Sequence, residues 1–148
     1  MSYEAVESGL LTLIRSLDNY SSTNADRGDY RILAAGNTRA VVINPGSIIN
    51  REIIALPRRV STEWELLIEL FIPFTGEVST AASAIRTDRQ ELLDHLDKYP
   101  TLNGVSNVVH AFVVGGTDPE IWAGESSSYW KQTLSMRVTE NTNTTLAE

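Results

Sequence analysis

Cysteine is absent from this 148-residue chain, and with it go disulfides, thiol nucleophiles and cysteine-ligated zinc sites. Long apolar runs are absent too. Arg, Glu or Pro interrupts every stretch well short of the roughly 18 uncharged residues that a membrane span needs. The first residues carry Glu4 and Glu7 instead of a basic leader, and the apolar stretch Leu10 to Ile14 is too short for a signal-peptide core, so a non-secreted protein is expected. The sequons Asn19-Tyr20-Ser21 and Asn143-Thr144-Thr145 then read as coincidence. Basic side chains are scarce: 12 Lys and Arg face 19 Asp and Glu, a formal charge of −7. Such a surface repels nucleic acid at a distance, so phosphate-backbone affinity is not the expected way of binding.

Two signatures of chemistry are also missing. No glycine pattern leads into Gly-Lys-Ser/Thr at a helix start, as a phosphate loop requires. Gly124-Glu125-Ser126 lacks the second glycine of a hydrolase elbow.

What remains is the composition of a globular domain, 42% apolar and 21% charged with three Trp, which rules out wholesale disorder. No internal repeat or linker divides it. A single domain over 1–140 is expected, followed by a polar tail at 141–148 (NTNTTLAE) that is mobile unless a partner holds it.

Val6, Leu10, Leu13, Ile14 and Leu17 recur at three- and four-residue steps and predict a helix over Ser2 to Leu17 with one buried stripe. Asp18 to Gly28 is polar and reads as a surface loop, Tyr30 to Ala35 as a short strand, and Ala40 to Ile43 as a strand halted by Asn44-Pro45-Gly46. Ile48 to Leu56 and Val60 to Phe74 predict two long strands joined around Pro57-Arg58-Arg59. In the second, Trp64, Leu66, Ile68, Leu70 and Ile72 share the core face, while Glu63, Glu65, Leu67, Glu69 and Phe71 share the other. A second helix is predicted over Val78 to Tyr99, stopped by Pro100. A strand over Val105 to Val114 follows, with Val108, His110, Phe112 and Val114 on one face. A loop over Thr117 to Ser127 carries Trp122, and a last alternating strand runs from Tyr129 to Glu140. The order predicts an α+β fold: a mixed or antiparallel sheet with a long β-hairpin and two main helices packed on one face.

Candidate chemistry is sparse. Asp88, Glu91, Asp94 and His95 fall on one helix, where the i, i+4 pair Glu91/His95 has metal-ligand spacing. The same turns carry Arg86, Arg89 and Lys98 as charge partners, so a solvated helix face is the weightier reading. His110 alternates with core positions and reads as a packed, hydrogen-bonded histidine. Glu63 and Glu65, two apart on a strand face, suit an acidic surface. Arg51, Arg58 and Arg59 gather on the hairpin, opposite in sign to Glu63, Glu65 and Glu69, which suits either a solvated tip or a contact with a neighbouring subunit. Trp122 is either the lid of a local core or an interface anchor.

The run Trp64-Glu65-Leu66-Leu67-Ile68-Glu69-Leu70-Phe71-Ile72-Pro73 leads into a helix and then Leu102-Asn103-Gly104-Val105. The chain closes on Tyr129-Trp130-Lys131-Gln132-Thr133-Leu134-Ser135-Met136-Arg137-Val138-Thr139-Glu140. From about Ser2 to Glu140 this resembles the tail terminator (tail completion) proteins of long-tailed bacteriophages, and more loosely the neck and head-tail joining proteins that share their fold. The basic hairpin from Ser47 to Val60 and the residues after Glu140 depart from that pattern. The resemblance implies a structural virion protein with no substrate, cofactor or metal, assembled in the bacterial cytoplasm. Its copies form a six-fold ring at the head-proximal end of the tail tube, end tube polymerisation and present a surface to the head connector. Implied partners are further copies, the tube protein and the connector, with no membrane; genomic DNA passes the channel without specific binding. On this reading Arg51, Arg58 and Arg59 lie at the subunit or tube interface, answered by Glu63, Glu65 or Glu69 of a neighbour, with Trp122 as a further interface candidate. The other readings are a neck component of the same fold, a small metal-dependent enzyme using Asp88, Glu91 and His95, and an oligomeric binding module with a ligand under Trp122.

Overall fold

The three- and four-residue spacing at the start of the chain folds into helix α1, Ser2–Arg15, which buries Val6, Leu10 and Ile14 completely. Glu4 in its first turn and Arg15 in its last suit the two ends of the helix dipole. A computed structural model describes residues 2–28, 30, 39–55, 58–73, 78–123 and 128–143. The second helix, α2, spans Val78–Asp97 and turns Ile85, Leu92 and Leu96 inward.

Among the described residues, six strands form one mixed sheet: β1 (Ala25–Arg27), β2 (Ala40–Ala55), β3 (Arg58–Pro73), β4 (Val108–Gly116), β5 (Glu120–Ala123) and β6 (Ser128–Asn143). Their spatial order is β1-β2-β3-β6-β4, with β5 also paired to β6. Only the β1–β2 pair is parallel among these pairings. The even-numbered residues Leu66, Ile68 and Leu70 of β3 and Leu134, Met136 and Val138 of β6 pack in one cluster with α1 and with Leu92 and Leu96 of α2. Both helices therefore cover the same sheet face, and the architecture is the expected α+β fold with a long hairpin. Phe71, on the opposite face, packs with Ala40, Val42 and Tyr129. Among the described residues, no helix is long and apolar enough to cross a membrane.

Several expectations need correction. Asn44-Pro45-Gly46 does not halt β2, which continues to Ala55. Proline has no N–H for the ladder, and the strand absorbs it by register shifts between Pro45 and Ile48 and between Ile48 and Asn50. The turn signal marked a bulge. Gly46 is required there because a Cβ would lie 2.8 Å from the Glu65 carbonyl oxygen and 2.7 Å from its carboxylate. Gly46→Ala is expected to destabilise the protein by about 1–3 kcal/mol, as measured by urea unfolding; a change within about 0.5 kcal/mol, typical of an ordinary surface site, would mean the bulge has room to spare.

A second bulge, between Val108 and His110, overturns the facing expected for β4. Beyond it the alternation reverses: Val108 and Ala111 are buried, while His110, Phe112 and Val114 are exposed. His110 is thus no core residue; its Nε2 lies 3.2 Å from Thr139 Oγ1 and its ring stacks on Phe112.

Short strands hide in both segments read as loops. β1 sits inside the polar stretch and is anchored by Ala25, fully buried and opposite Val41. β5 lies within 117–127 and pairs Ile121 with Trp130. β6 extends past Glu140 to Asn143, opposite Arg59. The strand expected over Tyr30 to Ala35 lies, apart from Tyr30, outside the described residues, as do residues 144–148 of the tail.

Candidate subunit interface

The β2–β3 hairpin carries the basic residues as expected, but the acids have partners within the chain. Glu63 pairs with Arg137 of the neighbouring strand at 3.2 Å, a half-exposed contact worth at most about 1 kcal/mol. Glu65 accepts a hydrogen bond from Ser135 Oγ at 3.0 Å. Glu69 is 7% exposed and accepts from the Tyr30 hydroxyl at 2.8 Å and from Asn44 Nδ2 at 3.1 Å. Burial and the Glu69 carboxylate both raise the Tyr30 hydroxyl above its ordinary value. The acidic face is thus a knitted polar layer across β2, β3 and β6. It is not a set of idle charges awaiting a neighbour.

The arginines are differently placed. Arg51 is exposed at its position opposite Thr62 and makes no ion pair among the described residues. Arg59 is half-buried, and its Nε has no hydrogen-bond partner among the described residues. Arg58 opens β3 opposite Ala55, and Trp122 lies on β5 opposite Tyr129; the side chains of both lie outside the described residues.

At the base of the hairpin, Trp64 Nε1 donates to Glu140 Oε1 at 2.9 Å. Glu140 is 2% exposed, so this bond ties β3 to β6 through a buried carboxylate. Tyr3 of α1 packs on the Trp64 ring. Burial and nearby Glu7 push the Tyr3 hydroxyl up to about 12.

The apolar side chains that the fold leaves in solvent are concentrated. Ile48, Ile49 and Ile53 are exposed along β2, and Val109, Phe112 and Val114 along β4. None of these stood out as a site in the sequence. Strict alternation places Phe112 and Val114 on the same face as Val108, and the bulge between Val108 and His110 turns them to the other.

The side chains with metal-ligand spacing on α2 turn to separate tasks. Asp88 pairs with Arg39 at 3.0 Å. Glu91 accepts from Asn19, Asp94 accepts from Gln90, and His95 Nε2 lies within bonding distance of Ser16 Oγ and the Leu13 carbonyl. Among the described residues, no three metal-ligating side chains converge. Two open clefts, of about 310 and 330 Å³, share Arg89 between α2 and the sheet. The Arg89 guanidinium donates to Gln132 Oε1 at 3.3 Å, and among the described residues the linings hold no carboxylate, hydroxyl or imidazole side chain to serve it as acid, base or nucleophile.

No protein-family model matches the chain, and no curated protein matches it.

Proposed function

We propose that this chain is a ring-forming structural protein that ends the growth of a bacteriophage tail tube and offers the surface to which the head connector attaches. The observation that carries the reading is the order and placement of the elements. A first helix, a long hairpin, a covering helix and a long last strand in the sheet interior form one layer of helices on one layer of sheet, as in the tail terminators that the sequence resembles. The work of such a protein lies in surfaces. Copies contact one another by heterologous contacts that close with rotational symmetry, and the exposed Arg51 and half-buried Arg59 lie on the hairpin offered to the neighbour or the tube. Because Glu63, Glu65 and Glu69 are already engaged, the groups that answer these arginines belong to other parts of the neighbour or to the tube protein. A net charge of −7 per copy gives a ring that repels DNA passing through it and does not grip it.

Polymerisation of the tube protein encoded by the same genome tests this. Purified chain, added well below one copy per tube subunit, is expected to shorten the mean tube length seen by electron microscopy. Tubes of unchanged length at every ratio contradict the reading.

A further inference from the structure

We propose that the trough between α2 and the sheet binds an extended segment of a partner protein that carries a carboxylate beside large apolar side chains. The site lies at the far end of β6 from the hairpin tip, since Trp130 pairs with Ile72 and Asn143 with Arg59. The inference goes beyond the function proposed above and does not rest on it.

The sequence spacing builds the trough. Ala82, Arg86, Arg89 and Leu93 follow one another at three- and four-residue steps and so line one face of α2. Opposite them, Trp130, Gln132 and Leu134 alternate along β6 and share the sheet face on which the helices pack. The two clefts, of about 310 and 330 Å³, meet at Arg89. From Ala82 to Leu93 the helix advances about 16 Å, at about 1.5 Å per residue. An extended chain rises about 3.3 Å per residue, so about five residues of a partner span the trough.

The chemistry of the lining selects the occupant. Arg86 is exposed and Arg89 half-buried, and neither has a carboxylate partner among the described residues, although acids outnumber bases 19 to 12 in the chain. Arg89 is held in place. Gln132, 5% exposed, accepts from its Nη1 at 3.3 Å and donates from Nε2 to the Thr117 carbonyl at 2.8 Å. A buried amide thus fixes one corner of the guanidinium and leaves its other N–H groups to a ligand, and the planar fork they form matches a carboxylate. The remaining surface is apolar, from Ile85, Leu93, Leu134 and the Trp130 ring. An inorganic anion leaves that surface wet. A nucleotide brings ribose hydroxyls and base edges to a wall whose amide, Gln132, is already engaged at both ends. A wholly apolar segment covers two guanidiniums without pairing them, at a cost in desolvation. A segment with an acid among apolar side chains satisfies the arginines and the floor together.

A random heptapeptide library selected on the immobilised full chain tests this, the enriched peptides then being synthesised with a fluorescent label and titrated by anisotropy. The expected result is enrichment of Asp or Glu next to Leu, Ile, Phe or Trp, with binding that weakens as salt is added. Arg86→Glu should weaken the selected peptides about tenfold or more. Val114→Asp, which puts a negative charge on the opposite wall, should weaken them as well. Both positions are exposed, and circular dichroism checks that both variants fold. A library without binders, selected sequences without an acid, or acidic peptides whose affinity is unchanged in both variants overturn the proposal. Orthophosphate or ATP that displaces the peptide at equal concentration identifies a phosphate site and overturns it too. Tube length is read independently of all these results, so this proposal and the terminator reading fail separately.

Discussion

Leu66→Ala is expected to lower the stability of the protein by about 3 kcal/mol, within the 2–5 kcal/mol range for emptying a buried leucine site. Leu66 is fully buried near the middle of β3, flanked by Met136 of β6 and Pro45 of β2 and covered by the helix layer. Truncation removes apolar area from the core and leaves a cavity that three neighbouring strands cannot easily collapse into, because their ladders fix the spacing. For a domain of this size each kcal/mol corresponds to roughly 2–4 °C in Tm, so a drop of roughly 6–12 °C is expected. Leu67→Ala is the control: its side chain is on the opposite face and only half-buried, and it should cost clearly less. Equal losses at the two positions would mean that the face assignment of β3 is wrong.

Arg39→Met should cost about 3 kcal/mol at neutral pH, near the lower end for breaking a buried ion pair. Asp88 is 4% exposed and holds its only ion-pair partner among the described residues at 3.0 Å. Burial raises the Asp88 carboxyl above its ordinary value, Arg39 draws it back down, and Glu91 pushes it up. A carboxyl raised in the folded state holds its proton more tightly there than in the unfolded chain. Its ionisation therefore costs stability at neutral pH, and that cost fades as the pH falls through the raised value. Without Arg39 the raised position moves further up, so the loss caused by Arg39→Met should be largest at neutral pH and shrink on acidification. Adding Asp88→Asn to Arg39→Met should recover much of the loss at neutral pH. A loss that is independent of pH would place the role of Arg39 in packing and not in charge.

Much of the fold was legible in the sequence because its long elements obey a single period. α1 and the core face of β3 follow their spacings without interruption, so their inward faces could be named residue by residue, and β6 alternates in burial from Lys131 to Glu140 as its sequence does. Three features broke the rule for physical reasons. Asn44-Pro45-Gly46 has the chemistry of a turn, yet the long β3 beside it offers a ladder on which β2 continues past a bulge. In β4 one extra residue before His110 reversed the faces, and no local residue marks it. β1 has only three residues, and its parallel pairing is fixed by tertiary contact with β2. The interface candidates divided along the same line. Charge segregation on the hairpin was visible, but whether Glu63, Glu65 and Glu69 were spoken for depended on Arg137, Ser135, Tyr30 and Asn44, brought near by strand register. The trough between α2 and the sheet became visible only once the order of strands was known.

The proposal that this protein stops tail growth is put to the test by measuring tail length, by electron microscopy, in particles produced without the chain. Overlong tails lacking heads are the predicted result. Tails of normal length beside unattached heads would contradict the claim and move the protein to the joining of head and tail, and normal infectious particles would remove it from tail assembly altogether.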